Sequence, residues 1–391
     1  MSTSLRAHSM ILKVVRQAEP REDIRRQRAF AWAVAALLLC GSPLLSRWIT
    51  VVAGQAKAKS KLRRFHRWLN NSRVDVAAYY RPFIQTALAG WSGKRIILAI
   101  DGTSVRDDCV VCRVALIYRG RAIPLVWKTL ASRSHSIAYT RYVDLLEQAA
   151  ELLPADCDIT LLGDRGFGHR KLMKWCRQAG WHFVLRLKSD SWVLMTDGSR
   201  RHLRSWRPKR QTLLRLADVR LLESGNKPID PLDICIIRAP EPAEEYWYLA
   251  TDRPGGYDVV ADYRLRAGIE AGFWDDKSGG WNWEDSPLTE PGEVDRLCLI
   301  MAVATLYTVT EGTFLVDSGR REELDPHDSR GLSYFQIGFR SIQRFLAQGR
   351  RLRLRLHLDP RPDPAPVTCY GIPFLLSGRF EWLPATIPAG C

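Results

Sequence analysis

The spacing of hydrophobic and polar positions changes along the chain, and the first 90 residues follow a helical period. Good helix formers run from Arg25 to Cys40, Ser42 and Pro43 interrupt them, and helical spacing resumes near Lys57. In residues 57–69 apolar positions recur at helical spacing, and basic positions fall on the opposite side. The apolar residues are Leu62, Phe65, Trp68 and Leu69, and the basic residues are Lys61, Arg63, Arg64 and Arg67. The pattern predicts an N-terminal helical region over residues 1–90 with one strongly basic face.

From Arg95 the pattern becomes one of strands mixed with helices. Short apolar runs bounded by turn residues predict strands, and longer amphipathic runs predict helices. In chain order we predict a strand at Ile96–Ile100, a hairpin of Cys109–Tyr118 and Ala122–Trp127, a helix at Tyr139–Leu153, a strand at Asp158–Leu162, a helix at Arg170–Ala179 and a strand at His182–Lys188. Residues 91–188 are thus expected to form the first part of a mixed sheet with covering helices.

The rest of the chain divides into three further segments. Residues 189–252 are rich in basic residues and hold two strand-like runs, Leu232–Arg238 and Tyr246–Thr251, which predict a β-rich insertion. Helical spacing returns in residues 253–315, at Asp258–Lys277 and Glu293–Glu311. Residues 316–391 form a basic, α-rich C-terminal region, in which the alternation at 351–358 predicts an edge strand. The fold class is therefore α/β, with an insertion in the sheet domain and helical regions at both ends.

The net charge of the chain indicates which class of partner it binds. The 391 residues, more than one domain usually holds, include 58 Lys+Arg against 42 Asp+Glu, a formal net charge of +16. Such a surplus is typical of a chain that binds a polyanion, either nucleic acid or an anionic membrane. The longest apolar run, Ala29–Cys40, is too short to span a bilayer, and the first residues lack the features of a signal peptide. We expect a cytoplasmic protein without a membrane partner, in which the basic helix face is either a solvated surface or a DNA contact.

The nine cysteines do not suggest a disulfide scaffold or a metal site. Only Cys109 and Cys112 form a CxxC pair, and no second pair follows at the spacing of a zinc site. Both fall in a run that reads as a buried strand. We interpret them as core residues.

Two acidic residues occupy similar local positions. Asp101 follows Ile-Ile-Leu-Ala-Ile and precedes Gly-Thr-Ser, and Asp164 follows Ile-Thr-Leu-Leu-Gly and precedes Arg-Gly-Phe-Gly. Each stands at the carboxyl end of a predicted strand, where open α/β sheets place their ligands. An aspartate there is also a common turn former or helix cap, so either interpretation is open at this point.

A third signal comes from the predicted helix Asp258–Lys277. Tyr263, Arg266, Glu270 and Lys277 lie at offsets of 0, 3, 7 and 14 residues. At about 100° per residue these positions fall within one sector of a single helix. Mixed charge on one helix face is commonly a solvated surface, and it also suits a site for phosphate and metal.

These motifs together resemble a known family. Tyr263-x2-Arg266-x3-Glu270-x6-Lys277 matches in letter and spacing the YREK signature of the insertion-sequence-four superfamily of bacterial DDE transposases. Ala-Ile-Asp101-Gly-Thr is similar to that family's first catalytic segment, Gly-Asp164-Arg-Gly-Phe-Gly to its second, and Phe183-Val-Leu-Arg-Leu-Lys188 to the strand that follows. The chain departs from its relatives at Ala267-Gly268, where an aromatic residue often follows the arginine.

The resemblance implies a ribonuclease-H-like fold and a set of functional residues. Asp101, Asp164 and Glu270 would be the catalytic triad and would bind Mg²⁺, with Mn²⁺ as a substitute. Tyr263, Arg266 and Lys277 would contact phosphate, and Trp247 would stack on a base flipped from the duplex, although a tryptophan in a strand is also commonly a core residue. Further DNA contacts are expected from Arg186 and Lys188. Arg165 and His169 are expected either to touch the DNA backbone or to cap the next helix.

The carboxylates suit the chemistry that the resemblance implies. Breaking a phosphodiester needs an activated water or hydroxyl and a stabilised leaving oxygen, and two Mg²⁺ ions held by carboxylates supply both. We expect cut-and-paste transposition at terminal inverted repeats by a homodimer that binds double-stranded DNA, with insertion into target DNA. The alternatives are a catalytically silent DNA-binding relative that acts as an inhibitor, and a structure-specific nuclease on the same fold.

Overall fold

The structure, a computed structural model, describes residues 3–106, 108–132, 137–222, 229–239, 245–350, 354–366 and 379–383. Its helices are α1 Thr3–Ala18, α2 Ile24–Cys40, α3 Leu45–Val51, α4 Ala58–Leu69, α5 Val76–Ala87, α6 Val143–Leu152, α7 Arg170–Gln178, α8 Tyr257–Arg264, α9 Ala267–Lys277, α10 Pro291–Asp317 and α11 Tyr334–Ala347. Its strands are β1 Arg95–Val105, β2 Cys109–Tyr118, β3 Arg121–Ala131, β4 Asp158–Gly163, β5 His182–Arg186, β6 Trp192–Leu194, β7 Arg200–His202, β8 Thr212–Leu222, β9 Leu232–Arg238, β10 Tyr246–Thr251 and β11 Arg379–Leu383.

These elements divide into two compact units. The first comprises Met1–Lys94, Gly102–Cys157 and Gly268–Val367, and the second comprises Arg95–Asp101, Asp158–Ala267 and Thr368–Cys391. The chain passes from one unit to the other inside β1, after Asp101, and again at the start of α9, after Ala267.

The first unit is built around α10, whose residues are buried on every side. Helices α2, α4, α5 and α11 and strand β3 pack against it. It crosses α11 where Gly312 faces the backbone of Tyr334 and Gly338 faces the carbonyl of Thr308, a spacing that leaves no room for a Cβ atom. By length and composition α10 could cross a membrane, but 94% of its most apolar stretch of 18 residues is buried inside the protein, as in a core helix.

The second unit contains a mixed sheet. Its strand order is β1-β4-β5-β10-β9-β8-β6-β7, and β11 pairs with β8. Strands β1, β4 and β5 run parallel to one another. Every later pair of neighbours in this order, from β5–β10 to β6–β7, is antiparallel. This confirms the predicted mixed α/β class, and β9 and β10 begin and end at the predicted residues.

Other local predictions are also confirmed. The hairpin of β2 and β3 forms, with β3 extending to Ala131, and α2 and α4 lie within a residue of their predicted bounds. Phe65, Trp68 and Leu69 face inward on α4, and Cys109 and Cys112 are buried in β2 with free thiols.

Three predictions are wrong. The strand predicted at Ile96–Ile100 is longer, because β1 continues to Val105, so Asp101 lies within the strand and not at its carboxyl end. The single helix over 258–277 is two helices, because α8 ends at Arg264 and α9 starts at Ala267. The amides of Leu265 and Arg266 bond three residues back, to Asp262 and Tyr263, and this tightened turn ends the helix. The predicted edge strand at 351–358 is not a strand over 354–358, and its first three residues lie outside the described part of the chain.

Candidate functional site

Asp101 and Asp164 lie at the same edge of the sheet in the second unit. Strands β1 and β4 are parallel neighbours, and their last Cα pair is Ile100 with Gly163. Each aspartate follows directly after that pair, so the two carboxylates stand on adjacent strands at the point where the β1–β4 pairing ends. Asp164 is at the carboxyl end of β4, whereas Asp101 lies within β1, which continues to Val105. Adjacent strands run about 4.8 Å apart, which is close enough for one ligand to touch both side chains.

The loop after Asp164 is shaped by glycines. The Asp164 carboxylate accepts a hydrogen bond from the Gly166 amide at 2.8 Å, which folds the chain back at the strand end. A Cβ on Gly163 would lie 2.9 Å from a methyl of Leu185, and a Cβ on Gly168 would overlap the carbonyl of Arg186. The glycines of the Gly-Asp-Arg-Gly-Phe-Gly segment thus allow it to pack directly on β5.

The flanking basic residues of this loop have different environments. His169 is the N-cap of α7, and its Nδ1 accepts from the Leu172 amide at 3.4 Å, so the capping interpretation holds for this residue. Arg165 is exposed, as is Lys188 after β5. Both stay predicted DNA contacts.

Arg266 binds the first aspartate. Its Nη1 donates to Asp101 Oδ2 at 2.9 Å, and the two side chains are 16% and 19% exposed. The same guanidinium lies 5.9 Å from the ring centroid of Tyr263. Arg266 stands in the turn between α8 and α9, and this position places its guanidinium at the Asp101 carboxylate.

Tyr263, Trp247 and Arg186 form a partly buried group beside this pair. The rings of Trp247 and Tyr263 meet edge to face with centroids 5.0 Å apart. Tyr263 is 3% exposed, and no described residue hydrogen-bonds its buried hydroxyl. Burial raises the pKa of Tyr263, so the phenol stays protonated as a donor. Arg186 is buried and pairs with Glu245 at 2.6 Å, so its DNA contact would require that pair to open.

Glu270 lies in the first unit, exposed on the first turn of α9. Helix α9 presses onto the β2–β3 hairpin with a face of small residues. A Cβ on Gly268 would stand 3.3 Å from the methyls of Ile117, and a Cβ on Gly272 would stand 3.0 Å from that of Ala122. Position 268 therefore has no room for a large side chain, whereas Ala267, the residue that follows the arginine, is exposed.

Two buried ion pairs hold the far end of α9 on the same hairpin. Asp276 pairs with Arg113 at 2.7 Å, and Asp275 pairs with Arg121 at 3.0 Å. Burial raises the pKa of Asp275 to about 7, against the opposing effect of the Arg121 guanidinium, and the carboxylate of Asp276 raises it further. Buried pairs of this kind fix an arrangement more than they stabilise it.

Lys277 ends α9, and its amine also lies in the first unit. It is half-buried and borders a small cavity of about 20 Å³ together with Arg106, Glu284 and Ser286. A basic residue in the last turn of a helix is stabilised by the helix dipole. Its phosphate contact stays a prediction.

The first unit also holds an open groove of about 660 Å³ between α2 and α4. Arginines line it from both helices, Ala29, Trp32 and Trp68 form its floor, and Ser60 and Asn71 complete it; the arginines are Arg25, Arg26, Arg28, Arg63, Arg64 and Arg67. Arg25 pairs with Asp23 at 3.1 Å and Arg26 with Glu22 at 2.8 Å. Among the described residues, the other four have no carboxylate at ion-pair distance. The groove therefore concentrates positive charge of the kind that suits an anion.

His8 lies beneath this groove. It stacks on Trp32 with ring centroids 4.3 Å apart, and among the described residues its buried Nε2 has no hydrogen-bond partner. Burial lowers the pKa of His8 to about 4; a backbone hydrogen bond at Arg28 opposes this, and the charges of Arg28 and Arg64 add to it. The imidazole is neutral near pH 7.

The donor chemistry fits Mg²⁺ at the sheet edge. Among the described residues, no group of three or more His, Cys, Asp or Glu side chains is arranged to hold a metal ion. A Mg²⁺ site requires fewer protein ligands than this, because the ion keeps several waters and commonly binds through one or two carboxylates together with substrate phosphates. Asp101 and Asp164 supply such a pair of oxygen donors.

Sequence reasoning missed two parts of these sites. The α2 side of the groove was overlooked, although Arg25, Arg26 and Arg28 are a basic cluster next to the predicted basic face of α4. The Arg266–Asp101 pair was also missed, because the two residues lie 165 positions apart.

Comparison with known proteins gives the family. A family model described as the transposase DDE domain matches residues 92–307, which is more than half of the chain. The chain belongs to this family, and its class is that of the DNA transposases. A solved structure with similarity is the cryo-EM structure of the piggyBac transposase synaptic complex with hairpin DNA, at 11% identity and a TM-score of 0.39, over 93% of this chain and 84% of that one. No curated protein matches the chain.

Proposed function

We propose that this protein is a cut-and-paste DNA transposase of the YREK type, acting at the terminal inverted repeats of an insertion sequence. The observation that carries the proposal is the pair of carboxylates, Asp101 and Asp164, on adjacent parallel strands where their pairing ends, inside the matched domain. A ribonuclease-H-like sheet places its acidic residues in this way. The spacing of Tyr263, Arg266, Glu270 and Lys277 supports the subfamily.

The proposed catalytic triad is Asp101, Asp164 and Glu270. Asp101 and Asp164 would hold Mg²⁺ or Mn²⁺, and Glu270 would complete the set of carboxylates. A bound divalent ion would polarise the scissile phosphate and lower the pKa of an attacking water. Among the chain's own residues, the Gly166 amide holds one carboxylate oxygen of Asp164 through a hydrogen bond of 2.8 Å.

The cations of the signature have two proposed roles. Arg266 offsets the charge of Asp101 when no ion is present and is the proposed clamp on a phosphate oxygen when DNA binds. Lys277 is the second proposed phosphate contact, as a point charge. Tyr263 is the third proposed phosphate contact, through its buried hydroxyl, and its ring packs edge to face against Trp247. The proposed stacking of Trp247 on a flipped base would displace it from this contact.

The arginine groove of the first unit is the proposed seat of a DNA backbone. Its floor tryptophans, Trp32 and Trp68, are 7% and 3% exposed, so they cannot stack on bases. The guanidiniums above them can neutralise phosphates, a contact that gives affinity and position without sequence readout.

We further propose that a homodimer pairs two ends of the element and inserts it into target DNA. The protein would work in the bacterial cytoplasm, and on the nucleoid when it is bound to DNA.

The proposal is tested with a plasmid that carries the gene and its native flanking DNA. Purified protein and the Glu270→Gln variant are each incubated with Mg²⁺ and with chelator. We expect metal-dependent release of a fragment bounded by inverted repeats from the wild type alone. Binding without cutting by both proteins would support the silent inhibitor instead, and nicking at unrelated structures would support a nuclease.

A further inference from the structure

The β insertion presents an exposed face that combines one aromatic ring with two arginines. Trp192 of β6 pairs across the sheet with His202 of β7 and Leu222 of β8, and the next row on the same strands is Leu194 with Arg200 and Arg220. Cross-strand partners share a face of the sheet. Val193 and Leu221 lie on the opposite face and are buried. Trp192, His202, Arg200 and Arg220 therefore project from the outer face.

Trp192 is supported on this face by a neighbouring ring. Its ring lies over His202 with centroids 3.6 Å apart and an interplanar angle of 34°. Nδ1 of His202 donates to the carbonyl oxygen of Asp190 at 2.8 Å, and this bond orients the imidazole beneath the indole. Trp192 is nevertheless 44% exposed, one of four large hydrophobic residues exposed in the described chain. One side of the indole is supported, and the rest is open to solvent.

The charges beside Trp192 are available to a ligand. Arg200 and Arg220 are exposed, and among the described residues neither has a carboxylate at ion-pair distance. The nearby Asp197 is engaged in the β6–β7 turn, where its carboxylate accepts from the Ser199 amide at 2.7 Å. Charged side chains on an edge strand such as β7 discourage pairing with other sheets. That role does not account for a supported tryptophan next to them.

We propose that Trp192, Arg200 and Arg220 form a binding site for an unpaired nucleotide of DNA, with the base on Trp192 and its flanking phosphates on the two arginines. Inside a duplex both faces of a paired base are covered by its neighbours, so an exposed ring on a sheet surface favours a base outside the duplex. Stacking of this kind tolerates any base. The site is separate from Trp247, which is half-buried against Tyr263. The inference rests on the proposed function in one respect, that the polyanion is DNA.

The test measures fluorescence anisotropy of two labelled probes, a fully paired duplex and the same duplex with a single-stranded thymine tail. Full-length wild type is compared with Trp192→Ala, Trp192→Phe, Arg200→Gln and Arg201→Gln, in chelator so that no cleavage occurs. Arg201 is the matched control: it is the next residue on β7, is also exposed and pairs with Val193, so it belongs to the other face. Circular dichroism checks that each variant is folded.

We expect Trp192→Ala to weaken binding of the tailed probe about ten-fold and to leave the paired duplex unchanged, while Trp192→Phe retains most of the affinity. Arg200→Gln should weaken the tailed probe more than Arg201→Gln does. Equal loss on both probes, or no loss on the tailed one, would overturn the site while leaving the transposase proposal intact. If the wild type bound neither probe, both proposals would fail. Binding of a tailed RNA in preference to tailed DNA would also contradict the site.

Discussion

Nη1 of Arg266 lies 2.9 Å from Oδ2 of Asp101, so the first carboxylate of the proposed triad is already bound by a cation of the same chain. A divalent ion that binds Asp101 must compete with this guanidinium. Entry of a phosphate would relieve the competition, because Arg266 could turn to the new anion.

Replacing Arg266 should therefore tighten metal binding when DNA is absent. We expect Arg266→Gln to bind Mn²⁺ about ten-fold more tightly than the wild type, since a hydrogen bond to a charged group contributes about 1.5–3 kcal/mol. Strand cleavage should fall in the same variant. Titration followed by Mn²⁺ electron paramagnetic resonance measures the affinity, and Arg266→Lys serves as the charge-conserving control. Unchanged or weaker Mn²⁺ binding would show that the pair does not restrain the site.

Gly168 should not tolerate a side chain. A Cβ there would overlap the carbonyl oxygen of Arg186, which is backbone and cannot swing aside. We expect Gly168→Ala to lower the free energy of unfolding by about 2–3 kcal/mol, the upper part of the range for overpacking. Gly90→Ala is the comparison, since its Cβ would meet only Pro360, at 4.0 Å. Urea denaturation measures both, and equal stability of the two variants would refute the close approach.

The stability of the first unit should depend on Asp275 in a defined direction. Its folded pKa of about 7 is above the unfolded value of 3.8, so the folded state binds more protons in between and loses stability as pH rises from about 4 to about 7. Asp275→Asn cannot ionise, so its stability relative to wild type should rise over that range, by up to about 1.4 kcal/mol per pH unit. Urea unfolding across this range tests the sign. Asp144→Asn, whose side chain is 59% exposed, is the control, and parallel curves for Asp275→Asn and wild type would contradict the expectation.

The arginine groove should contribute to the salt dependence of DNA binding. Removing Arg63, Arg64 and Arg67 together, as glutamines, should reduce the slope of log affinity against log salt by about 0.9 for each phosphate that these arginines neutralise. A triple variant of Arg81, Arg320 and Arg344 removes the same charge from arginines that already have carboxylate partners. If both triple variants changed the slope equally, the groove would be no more than part of a diffuse positive field.

DNA in the groove should also be sensed by His8. Burial accounts for most of the lowering of its pKa, and the charges of Arg28 and Arg64 supply the rest. Phosphates that neutralise these arginines should raise the pKa of His8, and so should Arg64→Gln without DNA. Histidine-selective nuclear magnetic resonance titrations with and without duplex measure the shift. An identical titration in both states would mean that the backbone lies elsewhere.

The elements whose formation depends on neighbouring residues were predicted correctly from the sequence. The hairpin and strands β9 and β10 follow from short apolar runs between turn residues, and the basic face of α4 follows from helical spacing. The break between α8 and α9 was not predictable in this way, because the residues around it suit a helix and two short-range hydrogen bonds end it. Nor could the pairing of Arg113 with Asp276 be predicted, since a periodic pattern carries no information on partners so far apart.

The glycine face of α9 restricts how this chain could exchange parts with its relatives. Gly268 and Gly272 let the helix lie against Ile117 and Ala122 without a gap, so α9 and the hairpin are shaped to each other. A helix transplanted from a relative with a larger residue at position 268 or 272 would be lifted off this hairpin, and Glu270 would be lifted with it. Such a chimera would need the hairpin from the same donor, and over evolutionary time the two segments can change only together.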